Sequence, residues 1–281
     1  MPVGVSQDRV VVHRTMLESS RLGFGTASLH HLVTRAARQR LLSTAYDCGL
    51  THFDTARMYG DGIAERELGI WLRGQRRESV TVATKAGIPA DGLADWFPPL
   101  GYVRRVSRRF AFSRRREATW RRLYSPEAMR RSLERSLKLL GVDYLDLFFI
   151  HDPRQQDLGA VENLGELLVS LKQAGKIRYA GVAGDARTCL EAEQRLAGVL
   201  DVLQVEDSID SREADALATA GWPLQVTFGY LRRAIQADKM KGDFAVELMR
   251  QALQRNREGV VLVSSRSPTR LIRLAKAAGQ A

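Results

Sequence analysis

Short apolar runs recur along the chain, and between them lie longer stretches in which apolar residues return every three or four positions. The runs predict strands at Leu22–Gly25, Thr51–Asp54, Val80–Lys85, Leu145–His151, Ile177–Ala183, Val202–Val205, Leu224–Phe228 and Gly259–Ser264. The periodic stretches predict helices at Arg35–Asp47, Ile63–Arg73, Pro126–Leu140, Val161–Ala174, Thr188–Leu196, Arg212–Ala220, Asp243–Arg255 and Thr269–Ala278. Strands that alternate with helices imply a parallel sheet, and eight such units predict closure into a (β/α)8 TIM barrel. Ahead of them, Val10–Thr15 and Leu17–Leu22 predict a short N-terminal β-hairpin. One barrel takes about 250 residues, so residues 1–281 are expected to form a single domain.

The helix over Pro126–Leu140 has the fullest set of local signals. Ser125 is a good N-cap, Pro126 suits the first helical position, and Glu127 complements the positive end of the helix. Met129, Leu133, Leu137 and Leu140 form one apolar stripe, and Gly141 supplies the stop. Gly175 and Gly221 read as similar stops.

Several predicted strands end on groups that an apolar run should not contain. Phe53 leads into Asp54, with Tyr59 in the turn beyond it; Ala83-Thr84 lead into Lys85; and Phe149-Ile150 lead into His151. A titratable group at the end of a buried strand is costly unless it is paired or used. Parallel barrels keep their chemistry at this end, so the four groups are expected to converge. Alone, His151 would read as a structural histidine and Lys85 as a snorkelling surface lysine; together they form a candidate site. His52, His30 and His31 read as structural.

Charge changes the picture in one place. The chain carries +11 overall, but nine arginines and one acid fall between Val103 and Arg122. The segment of about 89–124 follows the strand ending in Lys85 and is too long for an ordinary βα loop. It reads as a solvated loop, or as a docking surface for an anionic partner or substrate at Arg104–Arg122. Phe110, Phe112 and Trp120 lie among those arginines. Nucleic acid is not the expected partner. Cys48 and Cys189 suggest neither a disulfide nor a metal site. With no apolar run long enough for a span and no signal-peptide pattern near Met1, cytoplasmic residence is the expectation.

Together the four groups suit reduction of a carbonyl. A phenol near an ammonium can have its pKa lowered, a carboxylate can orient that ammonium, and a histidine can bond the carbonyl oxygen as it gains charge. No side chain donates hydride, so a cofactor is required.

Phe53-Asp54-Thr55-Ala56-Arg57-Met58-Tyr59-Gly60-Asp61-Gly62, with Glu65 and Leu68-Gly69, resembles a signature of the aldo-keto reductases. Leu22-Gly23-Phe24-Gly25-Thr26 resembles that family's opening strand, and Lys85 and His151 stand where its lysine and histidine would. The likeness runs from about Val10 to the C-terminus. It implies a nicotinamide-dependent reductase of small-molecule aldehydes, ketones or sugars. Tyr59 would be the general acid, Lys85 would tune it, Asp54 would pair with Lys85, and His151 would orient the carbonyl.

By the same resemblance Gly25, Thr26 and Asp54 line the cofactor site, and Gln204 bonds the nicotinamide carboxamide. Phe228 or Tyr230 would lie under the ring. Ser265, Arg266 and Arg270 would hold the adenosine 2′-phosphate, which selects NADPH (NADP+) over NADH. Val182-Ala183-Gly184-Asp185 departs from the family's Ser-Asn pair, with Gly184 backbone or Asp185 as the expected substitute. The long closing tail of many members is also expected to be absent, with the arginine-rich segment taking part of its role. Arg232, Arg233, Lys239 and Lys241 read either as solvated charge or as contacts to the cofactor pyrophosphate. Two other readings remain: a non-catalytic NADPH-binding sensor that docks a partner, and a barrel lyase using Lys85 as a Schiff-base amine.

Overall fold

The computed structural model describes residues 8–90, 122–232 and 243–279. Two antiparallel strands, β1 (Arg9–Val11) and β2 (Glu18–Ser20), precede a closed parallel barrel. Its strands are β3 (Leu22–Gly25), β4 (His52–Asp54), β5 (Thr81–Ala86), β6 (Leu145–His151), β7 (Ile177–Gly184), β8 (Val202–Glu206), β9 (Val226–Phe228) and β10 (Val260–Val263). They pair in chain order, and β10 closes on β3.

Alternation along the strands separates two apolar layers. Ala83, Leu147, Phe149, Val202, Val226 and Val260 fill the barrel interior, while the larger outer cluster lies between strands and helices. Val12 and Leu17 from the hairpin are buried in the interior cluster, and Met16 N–H donates to Tyr179 Oη (2.9 Å). The hairpin therefore seals the end of the barrel where the strands begin. At that end Asp146 accepts from Val82 N–H (2.8 Å), Arg77 (2.6 Å) and Arg178 (3.0 Å), binding β5, β6 and β7 together.

Helices α1 (Arg35–Asp47), α2 (Ile63–Leu72) and α3 (Pro126–Leu140) lie close to expectation. In α3, Ser125 accepts from Ala128 N–H, and Gly141 closes the helix at φ 66°. Two predicted helices need correction. The one expected over Val161–Ala174 is broken into Leu158–Glu162 and Gly165–Gln173. The one expected over Arg212–Ala220 shrinks to Asp215–Thr219: Arg212 takes a left-handed φ of 51°, and Ala214 N–H is drawn to Asp207. The helices over Ala186–Leu196, Phe244–Arg255 and Pro268–Ala278 complete the described outer layer.

His52 is structural, as expected, but lacks the hydrogen bonds that a satisfied buried histidine would have. It is fully buried, and neither ring nitrogen has a hydrogen-bond partner among the described residues. Burial lowers its pKa to about 4, with a smaller opposing influence from Asp54 and a reinforcing one from Lys85. Between pH 6.5 and about 4 the unfolded chain binds this proton and the folded chain does not, so stability falls as pH falls through that window. The loss is about 3 kcal/mol. His52→Leu is expected to remove that share of the slope, read as urea midpoints at pH 7 and pH 4.5. An unchanged slope would take His52 out of the account.

Candidate active site

The strand registers bring the predicted groups to the open end of the barrel. Interior-facing alternation carries Ala83 on to Lys85, Phe149 to His151, Val202 to Gln204 and Val226 to Phe228. His151 pairs across to Ala183, which pairs to Gln204. Lys85 Nζ lies 2.5 and 2.6 Å from the two Asp54 oxygens and 2.9 Å from Thr55 O. Both side chains are buried. Burial pulls the lysine pKa down, but Asp54 and then Tyr59 outweigh it, and the net shift is upward. Lys85 is therefore held as an ammonium.

After Asp54 the chain stays against β5: Thr55 N–H donates to Ala83 O and Arg57 N–H to Lys85 O. The turn this makes delivers Tyr59, partly exposed, to the mouth. Lys85 Nζ lies 5.2 Å from its ring centroid. The His151 ring stands perpendicular to it, 5.9 Å between centroids. Desolvation raises the Tyr59 pKa, and the Lys85 charge only partly opposes it. This corrects the expectation that the ammonium would bring the phenol below its ordinary value. His151 is pushed well below its usual value, by burial first and then by Lys85 and Arg122. The mouth thus holds a charged pair beside two neutral groups.

Support comes from residues to which the sequence assigned no role. Glu65, fully buried, accepts from Thr84 Oγ1 at 2.7 Å and faces Arg57 Nη1 at 3.4 Å, bracing the turn that carries Tyr59. Arg57 and Glu65 lie within the signature stretch, so only their pairing was hidden.

The residues expected around the cofactor fall into two groups. Gln204 is buried with its Oε1 unpartnered, and buried Thr26 Oγ1 also lacks a partner among the described residues. Gly25 O accepts from Ser264 Oγ (2.7 Å), and a side chain at Gly25 would meet that oxygen. Phe228 packs at the interior cluster. Arg266 and Arg270 are exposed, have no acidic partner among the described residues, and flank the start of the helix over Pro268–Ala278, which Ser267 caps. These suit a nicotinamide amide inside the barrel and an anionic group at its rim.

The rest do not converge. Tyr230 is buried in the outer layer with its hydroxyl on Asp207 (2.7 Å), which also binds Arg255, so of the two aromatics only Phe228 faces the interior. The Ser265 hydroxyl bonds Ser267 within its own turn. Asp185, expected to replace the Ser-Asn pair, caps the following helix through Thr188 N–H (3.0 Å). Arg232 pairs with Glu206. Residues 104–121 of the arginine-rich segment, and Arg233, Lys239 and Lys241, lie outside the described residues.

No helix among the described residues is long and apolar enough to cross a membrane. The chain is 30% identical over 200 residues to "Aldo-keto reductase yakc [NADP(+)]" of Schizosaccharomyces pombe, covering 69% of this chain and 51% of that protein. It is also 30% identical over 217 residues to the "NADH-specific methylglyoxal reductase" of Escherichia coli, covering 75% and 60%. The chain thus spans only about half the length of the first of these curated relatives. A solved aldo-keto reductase from Klebsiella pneumoniae in complex with NADPH superposes with a TM-score of 0.69 at 21% identity, over 96% of this chain and 89% of that one. That likeness speaks for the fold. The model of the "Aldo/keto reductase family" matches residues 21–210, and the chain belongs to that family.

Proposed function

We propose that this protein reduces an aldehyde or ketone, with a sugar as one candidate substrate, to the alcohol, using NADPH. The observation that carries the reading is the Lys85–Asp54 pair beside the perpendicular Tyr59 and His151 rings at the open end of the barrel. NADPH, when bound, supplies the hydride. Tyr59 donates its phenolic proton to the carbonyl oxygen as charge develops there, and its raised pKa keeps that proton in place at neutral pH. The neutral His151 hydrogen-bonds the same oxygen and orients it. Lys85 stabilises the phenolate that remains, and Asp54 holds Lys85 charged.

Gln204 and Thr26 would take the polar groups of the nicotinamide half, and Phe228 its ring face. Arg266 and Arg270 would hold the 2′-phosphate, an arginine fork being suited to phosphate. The relatives differ on this choice: one is named for NADP(+) and another is NADH-specific. The two unpaired arginines favour NADPH here. A Schiff-base role for Lys85 is disfavoured, because imine formation needs a neutral amine and Lys85 has three acceptors around its charge.

Tyr59→Phe is expected to bind NADPH as the native protein does while turnover falls by about 10²- to 10⁴-fold. Fluorescence titration and steady-state rates with a panel of aldehydes and ketones check both halves. Near-native rates in this variant would remove Tyr59 from the mechanism. Native protein that binds NADPH but turns over no carbonyl would favour the sensor reading instead. Arg270→Ala is expected to weaken NADPH binding about tenfold or more through loss of charge-assisted bonds, and to leave NADH nearly unchanged. Equal weakening of both nucleotides would put the 2′-phosphate elsewhere.

A further inference from the structure

Residues 122–124, the exit of the arginine-rich segment, lie across the ends of two barrel strands. Leu123 N–H donates to Gly87 O at 2.7 Å, just beyond the strand that carries Lys85. Arg122 donates through Nε to Asp152 O (2.8 Å) and through Nη2 to Asp152 Oδ2 (2.6 Å), just beyond His151. Between them the Tyr124 hydroxyl donates to His151 O at 2.7 Å. The Tyr124 ring lies over Gly87, which has φ 114°, and a Cβ there would fall 2.2 Å from Tyr124 Cε1. Tyr124 is buried, and the Arg122 side chain is 7% exposed.

The His151 carbonyl needs this donor. In a parallel strand successive residues turn their amide groups towards opposite neighbours. Asp152 N–H bonds Ala183 O on β7, so the His151 carbonyl faces β5. The β5–β6 ladder has already ended there, at Ala86 paired with Ile150. A carbonyl left unpaired at a buried strand end is costly.

We infer that Tyr124 is a positioning residue: its hydroxyl replaces the missing ladder donor at His151 and thereby fixes the imidazole against Tyr59. This rests on the reading of His151 given above. Burial first, then the charges of Asp157 and Asp152 against that of Arg122, raise the Tyr124 pKa above its ordinary value, so it stays a donor at any working pH. Strand, imidazole and the exit of the arginine-rich segment are thus joined through one hydroxyl.

The test is a double-mutant cycle of Tyr124→Phe, which keeps the ring over Gly87, with His151→Gln. Alone, Tyr124→Phe is expected to lower kcat by roughly tenfold or more, since small misplacements of a reacting group are expensive. In the His151→Gln background the same change is expected to cost less than about twofold, because coupled residues are not additive. A second readout needs no turnover. The chain has five histidines, so the His151 ring resonance can be identified by its loss in His151→Gln, and it is expected to shift in Tyr124→Phe protein without cofactor. Equal fold losses in both backgrounds, or a His151 resonance that stays in place, would overturn the inference. A native protein that reduces no carbonyl would defeat the functional reading, while the resonance would still decide whether Tyr124 places His151.

Discussion

Lys85 carries its charge inside the barrel mouth, and the local chain is arranged to make that tolerable. An isolated ammonium at such depth would cost several kcal/mol, more than most single contacts return. Asp54 meets it with both oxygens and Thr55 O with a third acceptor, so each Lys85 donor is satisfied. Neither partner could move far without leaving a buried charge. The pair therefore fixes how β4 and β5 end, and with them the turn that follows Asp54. Because Thr55 and Arg57 continue to bond the edge of β5, that turn has little freedom in where it delivers Tyr59.

Beside this charged pair the site keeps Tyr59 and His151 neutral. The same low-dielectric surroundings that raise Tyr59 lower His151, since burial disfavours the phenolate and the imidazolium alike. The Lys85–Asp54 pair, with Arg122 beyond His151, then acts on two uncharged hydrogen-bonding groups. Such a site is organised for charge that appears during a reaction and is absent before it.

Much of this was readable from residues alone. A strand that must be buried on both faces leaves a short apolar run, so Leu22–Gly25 and Leu145–His151 were bounded to the residue. Asp54, Lys85 and His151 stood out because each ends such a run, and Tyr59 because it follows in the turn after Asp54. What escaped depends on competition between partners far apart in sequence. Tyr230 and Phe228 are two positions apart and chemically similar, yet Asp207, more than twenty residues earlier, captures the Tyr230 hydroxyl and settles which one faces inward. Asp185 looked free until its role as a helix cap took its carboxylate. The Tyr59 pKa went the other way because proximity to Lys85 could be read from the motif, whereas the desolvation of the phenol by its surroundings could not. His52 sits in an apolar layer that offers no partner, something no local pattern announces.

The hairpin gives the molecule a back. Val12 and Leu17 stop one end of the barrel, and the exposed tip of the hairpin, Met16, lies on the side opposite the mouth. A tether, label or solid support attached at Met16 would therefore leave the mouth facing open solution. The protein could be anchored in a fixed orientation, with its reactive end outward, without altering a residue of the site.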